Sequence, residues 1–296
     1  MDKDETMVAQ LARVSRDAPV LLAGPTASGK SALAMALAAR DGRVIVNADA
    51  LQVYGCWRLL TARPSLADEA AVTHMLYGQV GREDIYSVGH WLREVTQVIA
   101  QHGHKLVIVG GTGLYFAALT EGLADIPPTP PAVREQANAL RQSNLPAMIA
   151  ALDASTRAKV DLANPMRVQR AWEVQATTGM GLAAWQAQTP PPTLHLQDCE
   201  ALVMRPEVAI LNARIDQRLD LMVKSGVLAE VRANLSNWAP HAPWAQAIGA
   251  DAFVAHLSGN CALDAAVATA KTATHQYAKR QRTWLRNRMA DWREIA

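Results

Sequence analysis

Residues Gly24-Pro25-Thr26-Ala27-Ser28-Gly29-Lys30-Ser31 constrain this chain more than any other segment. They match the pattern G-x-x-x-x-G-K-S in full. Its glycines let the backbone curl so that successive N–H groups point inward at phosphate oxygens, beside a helix N-terminus. Lys30 brings a point charge to the terminal phosphate, and the Ser31 hydroxyl suits Mg²⁺. The flanks agree with this reading. Ala18–Ala23 is a short apolar run that predicts a buried strand, and Lys30–Arg40 carries alanine, leucine and methionine at helical density. Phosphate binding follows from the motif; the reaction does not.

Further strands are expected at Arg43–Asn47, Lys105–Val109 and Ala201–Met204, with an amphipathic helix around Trp91–His102. Alternating strands and helices imply a parallel sheet with crossover helices. Pro127-Pro128-Thr129-Pro130-Pro131 then interrupts any helix or central strand. Residues 132–188 are helical in period, and Pro190-Pro191-Pro192 closes that block. Long helices follow at Val208–Val223, Leu228–Ser236 and Ala262–Met289. The expected fold is α/β, a P-loop NTPase-like parallel sheet flanked by helices with an all-helical insertion domain. Its parts are residues 1–124 (core), 125–195 (insertion) and 196–296 (core, ending in a basic helix).

With 296 residues, half of them hydrophobic, the chain can bury a large core. The net charge of +2 decides nothing about partners. Its distribution says more: residues 271–296 hold seven Lys and Arg against one Asp and one Glu. That surplus fits a polyanion contact or a solvated helix face. Cys56, Cys199 and Cys261 lie too far apart for a zinc pattern, and an odd count excludes a complete disulfide framework. Reduced, buried thiols are expected. The charged start Met1–Glu5 and the lack of a long apolar run argue against a signal peptide and a membrane span. The expectation is a cytoplasmic protein, monomeric, with no membrane association. No histidine pair has metal-ligand spacing, and Trp172, Trp185 and Trp284 fit core positions in helices.

Many P-loop enzymes end a strand in an Asp that helps hold Mg²⁺. Here the Lys105–Val109 strand ends in Gly110-Gly111-Thr112-Gly113, without a carboxylate. The acid comes instead from the second strand, as Asp49. A carboxylate leaving a strand there points toward the crevice where open α/β sheets bind ligands. It could serve as metal ligand, general base, ribose contact or plain cap. Thr112, between glycines, fits close approach to a ligand or a tight turn.

With these pieces in order, the chain resembles the tRNA dimethylallyltransferase family over nearly its whole length. The resemblance rests on Gly24–Ser31, Asp49–Tyr54, Thr61–Pro64, Tyr86–Val88 and Gly110–Phe116. It continues through Arg167–Ala171, Ala247–Gly249, Gln276–Gln281 and Thr283-Trp284. It implies that Gly24, Pro25, Thr26, Ala27, Ser28, Gly29, Lys30 and Ser31 hold the diphosphate of dimethylallyl diphosphate, with Mg²⁺ at Ser31. Asp49 matches the family's general base toward N6 of an adenosine. Thr112 and Arg214 match residues that steady the departing diphosphate.

The same resemblance places an anticodon stem-loop of tRNA against several segments. These are Asp49, Ala50, Leu51 and Gln52; Arg134; Gln169, Arg170, Ala171, Trp172 and Glu173; Ala247, Ile248 and Gly249; and Lys279, Arg280, Gln281, Arg282 and Arg286. The implied target is the adenosine immediately 3′ of the anticodon in tRNAs reading codons that begin with U. The chain departs from the family at Ala50, where Ser or Thr is usual, at Thr73 and Met75 in Thr73-His74-Met75-Leu76, at Arg63, and at Ala250-Asp251. Two other readings of the residues are a P-loop small-molecule kinase using Asp49 on an acceptor hydroxyl, and a nucleotide-dependent RNA-binding switch.

Overall fold

The computed structural model describes residues 11–295; the charged start Met1–Glu5 and the final Ala296 lie outside them. β1 (Val20–Ala23) leads through the glycine loop into α1 (Lys30–Asp41), β2 (Val44–Asn47), α2 (Leu66–Ala71) and β3 (His74–Met75). Then come α3 (Val88–His102), β4 (Leu106–Gly110) and α4 (Gly113–Glu121). A helical segment follows: α5 (Pro131–Ser143), α6 (Leu145–Ala150), α7 (Ala154–Lys159), α8 (Pro165–Thr178) and α9 (Leu182–Ala187). The chain continues through β5 (Glu200–Met204), α10 (Val208–Lys224), α11 (Val227–Arg232), α12 (Ala250–Leu257), α13 (Leu263–Arg288) and β6 (Arg293–Ile295).

The chain forms two compact units. Ala118–Thr193 is one; the residues up to Ala117 and from Leu194 onward form the other. The expected insertion was 125–195. The unit starts earlier because α4 runs on without a break, so the division falls inside a helix rather than at the proline run. Those prolines do not simply break structure either. Pro131 opens α5 and Pro165 opens α8, where a missing N–H costs nothing.

Six strands pair in the order β3-β2-β4-β1-β5-β6, every pair parallel. β1 and β4 are buried along their whole length, which is why they read as unbroken apolar runs. Ala23 lies opposite Gly110 on one side and Val203 on the other. The turns after β1 and β4 therefore leave the sheet at the same level, and the turn after β2 joins them because Asn47 pairs with Val109. That register is what assembles the site.

Leu33 and Leu37 of α1 pack on Ile45, Val107 and Leu202 on one side of the sheet. A second cluster joins Trp57, Leu219, Val231, Trp244 and Phe253 beneath the C-terminal helices. Burying a side chain such as Phe253 stabilises the fold by roughly 1.5–3 kcal/mol. The helical unit has its own core of Ala137, Met148, Leu152, Val168 and Ala171.

Some elements escaped the pattern. β3 and β6 span two and three residues, too few to show a period. The helix expected at Leu228–Ser236 ends at Arg232 and is followed by a 3-10 turn at Leu235–Asn237. All three cysteines are free but half-buried, not fully enclosed as expected. No described helix is long and apolar enough to cross a membrane.

Candidate active site

The glycine loop is a run of backbone choices that its sequence dictates. Ala27 (φ 61°) and Gly29 (φ 99°) are left-handed, which turns the chain back on itself before α1 begins at Lys30. A Cβ on Gly24 would crowd the Ser28 hydroxyl at 2.8 Å and Met204 Cβ at 3.2 Å. That hydroxyl is buried and has no partner. Lys30 Nζ donates to the Pro25 carbonyl at 3.2 Å, folding over the loop. Burial pulls the Lys30 ammonium down to about 8; the Asp49 carboxylate opposes that shift and Arg218 adds to it.

Two arginines one helical turn apart on α10 close over the loop. Arg214 donates from Nη1 to the Ser28 carbonyl at 3.1 Å. Arg218 donates from Nη2 to the Thr26 hydroxyl, and its Nε is buried without a partner. Burial lowers the Arg218 guanidinium from its ordinary range, while Asp49 works the other way. Sequence reasoning missed Arg218. The signal was available, because Arg214 and Arg218 stand at i and i+4 and so share one helix face. With Lys30, they make a cradle of donors and positive charge with no acid among them.

Asp49 leaves β2 in a turn built by Asn47. The Asn47 amide accepts from Asp49 N–H at 2.8 Å and donates to the Asp49 and Leu76 carbonyls, each at 3.0 Å. Trp91 Nε1 donates to the Asn47 carbonyl at 2.7 Å, and the Trp91 ring stacks on Tyr115 at 4.4 Å. Asp49 Oδ1 accepts from Leu51 N–H at 3.0 Å. The carboxylate is thus held by its neighbours while its charge reaches outward. Burial, with Asp49's charge behind it, pushes the hydroxyls of Tyr77, Tyr115 and Tyr277 above the usual phenol range. All three remain neutral at physiological pH.

Thr112 stands in the turn after β4, against the segment that carries Asp49. Its hydroxyl accepts from Ala50 N–H at 2.9 Å and its own N–H donates to the Ala48 carbonyl at 3.2 Å. Thr112 therefore braces the Asp49 turn, and its hydroxyl keeps its own hydrogen for a further acceptor. Its hydroxyl meets the backbone N–H of Ala50, the residue that follows Asp49.

A cavity of about 480 Å³ joins these groups. Thr26–Ala32, Arg214 and Arg218 line it, with Asp49, Gln52, Thr61 and Tyr277. Leu51, Leu60, Leu219, Met222 and Ile248 supply apolar wall. Such a site can neutralise a diphosphate, shield an apolar group attached to it, and present one carboxylate as a base.

Other expected contact residues fall in several settings. Lys279, Arg280 and Arg286 of α13 are exposed and Arg282 is half-buried. Gln281 is a correction: it is 6% exposed and faces inward, with both ends of its amide bonded to protein. Its side chain cannot lie along an RNA backbone. Trp284, on the same helix, packs against Gly113, where a Cβ would lie 2.0 Å from the ring. Ala247 is buried, Ile248 reaches the cavity, and Gly249 caps α12 at φ 89°.

Within the helical unit, Ala171 is wholly buried, so its side chain is core and not surface. Gln169 and Glu173 are buried as well. Gln169 Nε2 donates to Asn138 and to Glu173, each at 2.8 Å, and its Oε1 accepts from Arg141 at 2.6 Å. Arg134 pairs with Glu173 at 3.1 Å and Arg170 approaches it at 3.9 Å. Glu173 thus orients two partly exposed arginines. Trp172 packs on the unit's core.

Comparison with known proteins places the chain among tRNA-modifying transferases by similarity. A family model described as IPP transferase matches residues 52–288. The tRNA dimethylallyltransferase of Cereibacter sphaeroides is 61% identical over 289 residues, 97% of this chain and 92% of that protein. The one from Dinoroseobacter shibae is 55% identical and covers 96% of this chain and 97% of its own length. The full-length tRNA isopentenylpyrophosphate transferase from Bacillus halodurans superposes with a TM-score of 0.65 at 28% identity, covering 94% of this chain and 90% of that one. A eukaryotic dimethylallyltransferase acting on tRNA shares the fold, with a TM-score of 0.74 at 24% identity. The matched segment opens three residues after Asp49, and relatives at up to 61% identity extend over the phosphate loop too, so the chain belongs to the IPP transferase family.

Proposed function

We propose that the protein transfers the dimethylallyl group of dimethylallyl diphosphate to N6 of the adenosine immediately 3′ of the anticodon, in tRNAs reading codons that begin with U. One observation carries this reading: a single cavity sets Lys30, Arg214 and Arg218 around the glycine loop, apolar side chains beside them, and Asp49 within the same space. The donor's diphosphate occupies the cationic end and its five-carbon group lies against the apolar wall. The N6 lone pair attacks the allylic carbon as the carbon–oxygen bond breaks toward the diphosphate. Asp49 takes the N6 proton. The departing oxygens gain negative charge, and Lys30, Arg214 and Arg218 around the loop would offset it.

The described residues hold no cluster of three His, Cys, Asp or Glu that could bind a metal. Ser31 lines the cavity at the start of α1, so its hydroxyl and the diphosphate's own oxygens would hold Mg²⁺. When bound, the ion adds positive charge against the leaving group. To reach Asp49 the adenine must leave its stack, as bases do in enzymes that modify them. Asp49, Ala50, Leu51 and Gln52 would meet the flipped nucleotide. Lys279, Arg280, Arg282 and Arg286 on one unit, and Arg134 and Arg170 on the other, would take backbone phosphates. We also infer a monomer acting in the cytoplasm, where the tRNA it would modify is found.

The competing reading is a kinase, and β4 argues against it by ending in Gly-Gly-Thr-Gly with no carboxylate. The deciding assay mixes the protein with undermodified tRNA, Mg²⁺ and either labelled dimethylallyl diphosphate or γ-labelled ATP. Label on tRNA from the prenyl donor is the expected result. Label on any acceptor from ATP alone would sink the transferase reading.

A further inference from the structure

Gln281 ties together three segments that lie far apart in sequence. Its Oε1 accepts from Thr26 N–H, inside the glycine loop, at 2.8 Å. Its Nε2 donates to the Gly111 carbonyl, in the turn after β4, at 3.0 Å. That turn in turn holds both halves of the site. Gly24 N–H donates to the Gly110 carbonyl at 3.2 Å, and Thr112 grips Ala48 and Ala50 on either side of Asp49. The fit is close on every side, since a Cβ on Gly111 would lie 2.1 Å from Gln281 Nε2. No other side chain joins the loop to the turn among the hydrogen bonds of the described residues.

We propose that Gln281 is a positioning residue that fixes the spacing between the diphosphate cradle and the Asp49 carboxylate. In-line displacement needs the leaving group, the allylic carbon, N6 and the base in one alignment, and small errors there are expensive. β1 and β4 are locked by the sheet, but Thr26 and Thr112 lie beyond its last rungs. The Gln281 amide extends the pairing by one more rung, from a helix instead of a strand. The role in catalysis rests on the transfer reading above.

The test compares the wild type with Gln281→Met, which keeps length and loses both hydrogen bonds. Gly111→Ala pushes on the same amide from its other end. Each is measured as folded protein for kcat, for KM toward tRNA, for melting temperature, and for binding of inorganic diphosphate by titration calorimetry. Gln281→Met is expected to lower kcat about 10²-fold and to weaken diphosphate about tenfold, with KM for tRNA unchanged. The double variant should be no worse than the poorer single one. A lowered melting temperature with unchanged kcat and diphosphate affinity would overturn the proposal, because a merely structural amide gives that pattern. A raised KM for tRNA alone would also overturn it and restore Gln281 to the RNA face. If the wild type transfers no prenyl group, the transfer reading fails, and the diphosphate titration still decides whether Gln281 positions the loop.

Discussion

Asp49 and Lys30 share one small space with opposite charges, and each shapes what the other can do. Asp49 is held through Asn47 and Leu51, so replacing its carboxylate alters chemistry more than shape. Asp49→Asn keeps an oxygen for Leu51 N–H and loses the base. Its kcat should fall by about 10²–10⁴-fold with tRNA binding nearly unchanged, measured by single-turnover transfer and by filter binding. Burial lowers the Lys30 ammonium to about 8, with Arg218 adding to that shift and Asp49 opposing it. The protonated form is the one that attracts diphosphate. Donor capture, read as kcat/KM against pH, should therefore decline as pH rises through about 8. Arg218→Gln removes a like charge, so the midpoint should move upward even as capture at neutral pH weakens about 10- to 100-fold. A midpoint that stays in place would mean that Lys30 does not govern that limb.

The turn after β4 carries no carboxylate, and it shapes the site by being small. Gly110 passes the end of β2 so closely that a Cβ would lie 2.0 Å from the Ala48 carbonyl oxygen. Gly110→Ala should cost about 1–3 kcal/mol through backbone displacement, seen in denaturant titrations, and should also slow transfer because Asp49 follows Ala48. The glycines and Thr112 were visible as a motif. Their reasons were not, because the atoms they avoid belong to β2 and to α13, more than 160 residues away in Gln281's case. Helix α13 shows the same division. Its basic surplus can be read from residues 271–296, but whether a given side chain faces solvent depends on the phase at which it docks. Lys279 and Arg280 came out exposed and Gln281 came out buried, one residue on.

Across the whole molecule, charge is nearly balanced at +2, so tRNA affinity must come from where the cations stand. Lys279→Ala and Arg280→Ala should each weaken tRNA binding uniformly across sequences and reduce the salt slope by about 1. Gln281→Met should leave that slope alone. An unchanged slope in the first two would take α13 out of the RNA contact. The strand–loop–helix at the glycine motif, the parallel sheet, the run of helices after the prolines and a carboxylate leaving β2 were legible from sequence, because each depends on local spacing: a glycine pattern, a run of apolar residues, a proline run, an acid at a strand end. Only the tertiary structure decided that Arg218 joins the cradle, that Thr112 braces the turn carrying Asp49, and that Gln281 turns inward. Each of those depends on strand register and helix docking, which bring together groups that no local pattern relates.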